Sequence, residues 1–185
     1  LSSYDREDSG PDQQFTVVDH AWLNLDAYYG LWAFLRSHDL VGRVQWGMVP
    51  EDDPATELLL EPRALNERRH DGIWYRVVDI QKALNERGYD GTGEVVVELA
   101  EDDLCPWNVG RYRLTSSGEA HDVNPTDAAA DLTCSVNAFG SLISGHSSAT
   151  YLDRIGRAEL HDAARGPAID QLFAAKYRPT LSFGF

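Results

Sequence analysis

Cysteine is scarce in this chain: Cys105 and Cys134 are the only two in 185 residues, and they form no CxxC pair. That excludes a disulfide framework and the paired-thiol zinc motifs, and leaves two buried, reduced thiols as the reading. Cations are scarce too, with 16 Lys and Arg against 30 Asp and Glu and a formal net charge of −14. Phosphate recognition needs clustered Lys and Arg, so neither a nucleic acid nor an anionic membrane is an expected partner. Simple solubility and attraction of a cationic substrate both fit this sign of charge. No apolar run nears the roughly 20 residues that a membrane span requires, and no signal-peptide pattern is present. A cytoplasmic location is therefore expected. HExxH and HxxxH spacings are absent, and the four His-Asp dipeptides (His38-Asp39, His70-Asp71, His121-Asp122, His161-Asp162) fall on unlike elements, so no metal site is expected. The chain opens on Leu1, which suggests a piece of a longer protein.

What is present is organised around Gly72 to Leu114. Ile73 to Val78 is rich in β-branched and aromatic residues and predicts a strand. Asp79 stands as an N-cap before Ile80, Ala83 and Leu84 at helical spacing, and Gly88 supplies a stop. Val95, Val97 and Leu99 alternate with Val96 and Glu98, which predicts a strand with one buried face. Arg111 to Leu114 pairs with Ala120 to Val123 across Ser116-Ser117-Gly118. The sum is an α+β core with helix on a mostly antiparallel sheet.

Upstream, Leu1 to Tyr4 and Phe15 to Trp22 read as two strands joined by a polar loop. A helix is predicted over 26–37 with Asn24 or Asp26 as cap, a strand over 43–49, and a short helix starting at Pro54 and ending before Pro62. The connection His20-Ala21-Trp22-Leu23-Asn24-Leu25 contains no glycine. Downstream, a loop over 125–131 precedes a strand over 131–136, helices over 138–143 and 149–155, a short strand over 158–161 and a helix over 168–176 with Ile169, Leu172 and Phe173 inward.

The words Gly72-Ile73-Trp74-Tyr75-Arg76-Val77-Val78-Asp79-Ile80, Ala83-Leu84, Cys105-Pro106-Trp107-Asn108 and Gly110-Arg111-Tyr112 resemble the C-terminal domain of the enhanced intracellular survival (Eis) family. The series from Asp131 through Gly140, Gly145 and Leu152 to Gly156-Arg157 extends that resemblance. Such proteins are multi-acetylating GNAT-type N-acetyltransferases with a catalytic GNAT domain, a degenerate central GNAT domain and a sterol-carrier-protein-like C-terminal domain. The resemblance implies an α+β chain in which residues 1–62 are the back part of the degenerate GNAT-like domain, 63–71 a linker and 72–185 the sterol-carrier-like domain. Strand, strand, helix, strand, helix is the order of the back half of a GNAT fold. An active GNAT presents backbone N–H groups of a glycine-rich turn to the coenzyme A pyrophosphate; the bulky, glycine-free link at 20–25 cannot.

The resemblance implies further that the full-length protein transfers acetyl from acetyl-CoA to a cationic amine of the aminoglycoside, polyamine or lysine type. Acetyl-CoA and the general acid would then sit in an N-terminal catalytic GNAT domain outside this chain, which alone would be inactive. Homo-oligomers, often hexamers, are implied as well. The alternating end Leu181-Ser182-Phe183-Gly184-Phe185 suggests a tail that docks, and in the Eis family the C-terminal carboxylate reaches the active site. Carried over, that role falls on the terminal carboxylate of Phe185, which would help orient or deprotonate the substrate amine. A buried tail that only holds domains together is the bland counterpart.

Other candidates are weaker. Gly145-His146-Ser147-Ser148-Ala149 resembles a nucleophile elbow, with Asp153 and His161 following in hydrolase order, but spacings of six and eight residues cannot spread a triad across a sheet. A polar turn capping the next helix is the competing reading. Trp22, Trp32, Trp46, Trp74 and Trp107 read as core or interface anchors. Glu94, Glu98, Glu101, Asp102 and Asp103 read as a solvated strand face and turn. A stand-alone lipid-binding module, with an apolar tunnel in the second domain, is the alternative function.

Overall fold

Asn24 shows how local chemistry sets the first element. Its side chain accepts from the Ala27 amide at 2.9 Å, which fixes the start of helix α1, Leu25–Arg36. The computed structural model describes residues 13–181, so the expected strand at Leu1 to Tyr4 lies outside the described residues. Strand β1, Gln13–Val17, and strand β2, Val41–Trp46, flank α1 and pair in parallel, with Phe15 opposite Val44 and Val17 opposite Trp46. This is a β-α-β unit. The strand predicted over 15–22 stops at Val17, because residues 18–24 form the link into α1. The strand predicted over 43–49 stops at Trp46, two residues before Met48 takes a left-handed φ of 55°. A short helix α2, Ala55–Leu58, and a 3-10 turn over Pro62–Leu65 follow.

The described residues fall into two compact units, 13–72 with 180–181, and 73–179. In the second, helix α3 (Ile80–Glu86) is capped by the Asp79 carboxylate on the Lys82 amide at 2.9 Å. Strands β3 (Thr92–Leu99), β4 (Gly110–Ser117), β5 (His121–Pro125), β6 (Leu132–Cys134) and β7 (Ala158–Leu160) form one sheet in the order β5-β4-β3-β6-β7. Only the β3–β6 pairing is parallel. Helices α4 (Val136–Ile143), α5 (Ala149–Arg154) and α6 (Gly166–Phe173) complete the unit.

Period-two alternation sorts the sheet into two faces. Val95, Val97 and Leu99 of β3, Tyr112 and Leu114 of β4, Val123 of β5 and Leu132 and Cys134 of β6 are buried. They share one core with Ile80 and Leu84 of α3, Phe139 and Leu142 of α4, and Ile169, Leu172 and Phe173 of α6. Each large apolar side chain removed from water contributes roughly 1.5–3 kcal/mol before conformational entropy is offset. On the other face Glu98 stands beside Arg111 in register and bonds it at 2.9 Å.

One predicted strand is absent. Ile73 to Val78 forms no ladder, although its composition suits a strand. Side chains take up its polar groups instead: the Trp107 indole donates to the Val78 carbonyl at 2.8 Å, Asn108 Nδ2 to the Val77 carbonyl at 3.4 Å, and the Tyr75 hydroxyl donates to the Gly140 carbonyl at 2.6 Å. β-Propensity loses here to side-chain fastening.

Candidate functional site

In a GNAT unit the coenzyme would lie at the link from β1 into α1. Its geometry follows from the cap. Asn24 Oδ1 occupies the Ala27 amide, the Tyr28 amide bonds the Asn24 carbonyl at 3.1 Å, and Asp26 places a carboxylate in the first turn. Leu23 is 98% exposed on the approach and Trp22 stands beside it. An anion meets a like charge, bulky side chains and, at Ala27 and Tyr28, N–H groups already bonded within the cap, a poor fit for a phosphate.

The link is part of an aromatic cluster. The Trp46 indole donates to His20 Nδ1 at 2.9 Å, Trp32 lies 5.5 Å from Trp46 and Trp22 lies 5.1 Å from Tyr28, between ring centroids. The Tyr28 hydroxyl donates to Asp53 at 2.5 Å, and Asp53 also caps α2 through the Ala55 amide. Burial, then the Asp53 carboxylate, pushes the Tyr28 phenol well above its ordinary range. Trp46 is the last residue of β2 and His20 follows β1 by three, so this pair stands at the carboxyl ends of two parallel strands, where open α/β sheets hold their ligands.

The second unit holds a denser polar site. Asp102 is 5% exposed and its carboxylate accepts from Arg76, from the Cys105 amide at 2.8 Å, from the Leu104 amide at 3.2 Å and from Asn108 Nδ2 at 3.2 Å. Asn108 in turn accepts from the Ile80 amide at 3.0 Å, and the Tyr112 hydroxyl donates to the Asn108 carbonyl at 3.0 Å. Burial pushes the Asp102 carboxyl up, and the Cys105 amide, Asn108 and Arg76 together bring it below the usual carboxylate range. Asp102 is therefore part of a buried network rather than a solvated turn. Its partners in the sequence, the Cys-Pro-Trp-Asn word, gave a signal that the acidic run around it obscured.

The triad that the short spacings argued against does not assemble. The Ser148 hydroxyl caps α5 by accepting from the Tyr151 amide at 3.1 Å, Asp153 accepts from the Leu160 amide at 2.9 Å, and His161 Nε2 bonds the Thr133 hydroxyl at 2.8 Å. Thr133 donates onward to Glu98 at 3.0 Å, so His161 belongs to a side-chain row on the open face of the sheet. Among the described residues no group of three His, Cys, Asp or Glu side chains could hold a metal ion. Of the five tryptophans none is fully buried: Trp32 and Trp46 are half-buried, while Trp22, Trp74 and Trp107 are exposed. Phe185 lies outside the described residues.

Comparison with known proteins fits this geometry. Residues 80–182 match the family described as the sterol carrier protein domain, and residues 2–77 match the acetyltransferase (GNAT) domain. The chain belongs to the sterol carrier protein domain family. This sterol carrier protein domain chain is 35% identical to an uncharacterised N-acetyltransferase of Streptomyces avermitilis, over 98% of its own length and 44% of that protein's. It is 30% identical to the N-acetyltransferase Eis of Mycobacterium tuberculosis, over 88% of its own length and 40% of the relative's. The crystal structure of Eis1 from Mycobacterium abscessus superposes with a TM-score of 0.77 at 31% identity, covering 93% of this chain and 44% of that one. The chain thus spans less than half the length of these relatives.

Its homologues are N-acetyltransferases, and acetyl-CoA is the acyl donor of the GNAT class. The β1–α1 link of this chain does not fit that donor's pyrophosphate, for the reasons of charge and bulk given above. In the sterol carrier protein domain itself, the buried apolar side chains pack on one another in a single core.

Proposed function

We propose that this chain is the C-terminal part of an acetyl-CoA-dependent N-acetyltransferase acting on cationic amines, and that it supplies scaffold, oligomer contacts and the terminal carboxylate of Phe185. Acetyl-CoA binds in a catalytic GNAT domain N-terminal to it, and the assembly is a cytoplasmic homo-oligomer, a hexamer by family resemblance. One observation carries the reading: nearly the whole chain aligns with under half of an N-acetyltransferase, while its own GNAT-like unit offers no anion cradle.

The chemistry explains why a terminal carboxylate helps. The neutral amine attacks the thioester carbonyl, an N–C bond forms, the C–S bond breaks, and the thiolate takes up a proton. An ammonium cannot attack, so an anion beside it has a chemical purpose, orienting the substrate amine or helping to deprotonate it. A chain-terminal carboxyl titrates at about 3.3–3.7 in model peptides and is anionic at neutral pH.

The test is deletion of Phe183 to Phe185 from the full-length enzyme. A fall in kcat of about 10²–10⁴-fold, the usual contribution of a positioned acid or base, is expected with acetyl-CoA affinity unchanged. Unchanged turnover removes Phe185 from catalysis. The 185-residue chain alone is expected to show no heat of acetyl-CoA binding; saturable binding would place the donor site in this chain after all.

A further inference from the structure

The word Gly145-His146-Ser147-Ser148 is not a hydrolase site, yet the fold uses each of its residues. Gly145 stands at φ +74°, and a Cβ there would lie 2.5 Å from the Cβ of Ala175. The turn is itself tied down: the Gly145 amide bonds the Leu142 carbonyl at 3.0 Å and the Ser147 amide bonds the Ser141 carbonyl at 3.1 Å. The His146 carbonyl accepts from the Arg178 guanidinium. Ser148 ends the word by capping α5.

The partners of this turn, Ala175 and Arg178, lie on the segment that leaves α6. A third tether joins them just upstream, where Arg87 Nη2 donates to the Phe173 carbonyl at 2.7 Å and to the Ala174 carbonyl at 3.4 Å. Within six residues the outgoing chain is held at Phe173, Ala174, Ala175 and Arg178. Residues 174–180 are exposed throughout and form no helix or strand, so neither burial nor a backbone ladder explains their course. Free chain ends fray unless something fastens them.

We infer that the Ser144–Ser147 turn is a guide for the C-terminal tail, with Gly145 as seat and the His146 carbonyl as clasp for Arg178. Gly145 is required because Ala175 occupies the space of a side chain and because only glycine adopts this φ without strain. Arg178 suits the clasp because a guanidinium is charged at every working pH and its fork is rigid. For catalysis the inference rests on the terminal-carboxylate reading: Gly145 and Arg178 are positioning residues, acting through the direction in which the tail departs.

Two variants test it. Arg178→Gln removes the clasp from an exposed position, and Gly145→Ala pushes on Ala175. In the 185-residue chain, tryptic cleavage after Lys176 is expected to quicken about tenfold in both, since cleavage follows local opening. The double variant Gly145→Ala/Ala175→Gly removes the Cβ–Cβ clash and is expected to slow cleavage again. In the full-length enzyme, kcat is expected to fall by about ten- to a hundredfold with the KM for acetyl-CoA unchanged, as for a misplaced catalytic group. Cleavage rates equal to wild type in both single variants overturn the guide. Faster cleavage with kcat unchanged, while deletion of Phe183 to Phe185 lowers kcat, overturns its positioning role alone. Faster cleavage with kcat insensitive to that deletion too overturns the carboxylate reading and leaves the guide standing.

Discussion

Replacing Arg87 by Met should destabilise the second unit more than any other single change of a half-exposed side chain. Arg87 Nε donates to the Ile143 carbonyl at 2.8 Å and Nη2 to the Phe173 carbonyl at 2.7 Å. Ile143 and Phe173 are the last residues of α4 and α6, so one guanidinium satisfies orphan carbonyls at two helix ends and meets the negative end of both dipoles. The same group lies 4.7 Å from the Tyr89 ring centroid and 5.6 Å from that of Phe173. Burial pushes the Arg87 guanidinium below its ordinary range, so part of the gain is spent on desolvation.

Hydrogen bonds to a charged group contribute about 1.5–3 kcal/mol each, and the two helix-end bonds give roughly 3–6 kcal/mol before that cost. A net loss of about 3 kcal/mol in Arg87→Met is the working figure. Lysine offers a point charge that reaches one carbonyl rather than two, so Arg87→Lys should lose about half as much. The assay is native-state hydrogen exchange at the amides of Val95 to Leu99, which lie in the core strand and report this unit by itself. At about 1.4 kcal/mol per tenfold, exchange should quicken about a hundredfold in Arg87→Met and about tenfold in Arg87→Lys. Exchange within threefold of wild type in Arg87→Met, or equal effects of Met and Lys, would refute the fork argument.

Asp102 and Glu98 should shape the acid limb of stability. Burial raises each carboxyl, but hydrogen bonds lower them further: from the Cys105 amide, Asn108 and Arg76 for Asp102, and from Arg111 and Thr133 for Glu98. A folded carboxyl held below its unfolded value of about 3.9–4.3 contributes stability that is full above that value and lost as pH falls through the folded one. Denaturant titrations should therefore show stability falling below about pH 4, with a shallower fall in Asp102→Asn; an unaltered slope would count against the network. Burial pushes the Cys134 thiol up to about 12, so at pH 8 only about one molecule in 10⁴ carries the thiolate. Iodoacetamide should modify Cys134 no faster than the unit unfolds, and rapid labelling of the native chain would contradict its burial.

Local rules made much of the fold legible in the sequence. Asp79 was readable as a cap, and Asn24 as one of two candidates with Asp26, because an Asx side chain before a helical run satisfies an orphan amide whatever surrounds it. The β4–β5 hairpin was readable because Ser116-Ser117-Gly118 punctuates two alternating runs, and Leu114 does face Val123. Ile73 to Val78 misled because its composition records a half-exposed surface, while its hydrogen bonds depend on Trp107 and Asn108, about thirty residues away. Asp102 was illegible for the same reason. Nothing in Glu101-Asp102-Asp103 distinguishes the one carboxylate that turns inward to four donors. The parallel pairing of β3 with β6 likewise rests on a contact across more than thirty residues, which periodicity does not encode.

These long-range fastenings bear on what the family resemblance can carry. Its most distinctive words are structural: Arg76, Asp79, Ile80, Cys105, Trp107, Asn108 and Tyr112 hold an irregular segment against the start of α3. Asn108 alone joins the Ile80 amide, the Val77 carbonyl and the Asp102 carboxylate, so its amide is matched on both its donor and acceptor sides. Leucine, of nearly the same volume, would strand the Ile80 amide and take one of four donors from Asp102 in a buried space. Their contacts serve the fold of this unit. The likeness therefore reaches the architecture first, and acetyl transfer only through groups that architecture holds in place. On the proposed reading, the segment that leaves α6 is the part of this chain whose course would bear on turnover rather than on the fold.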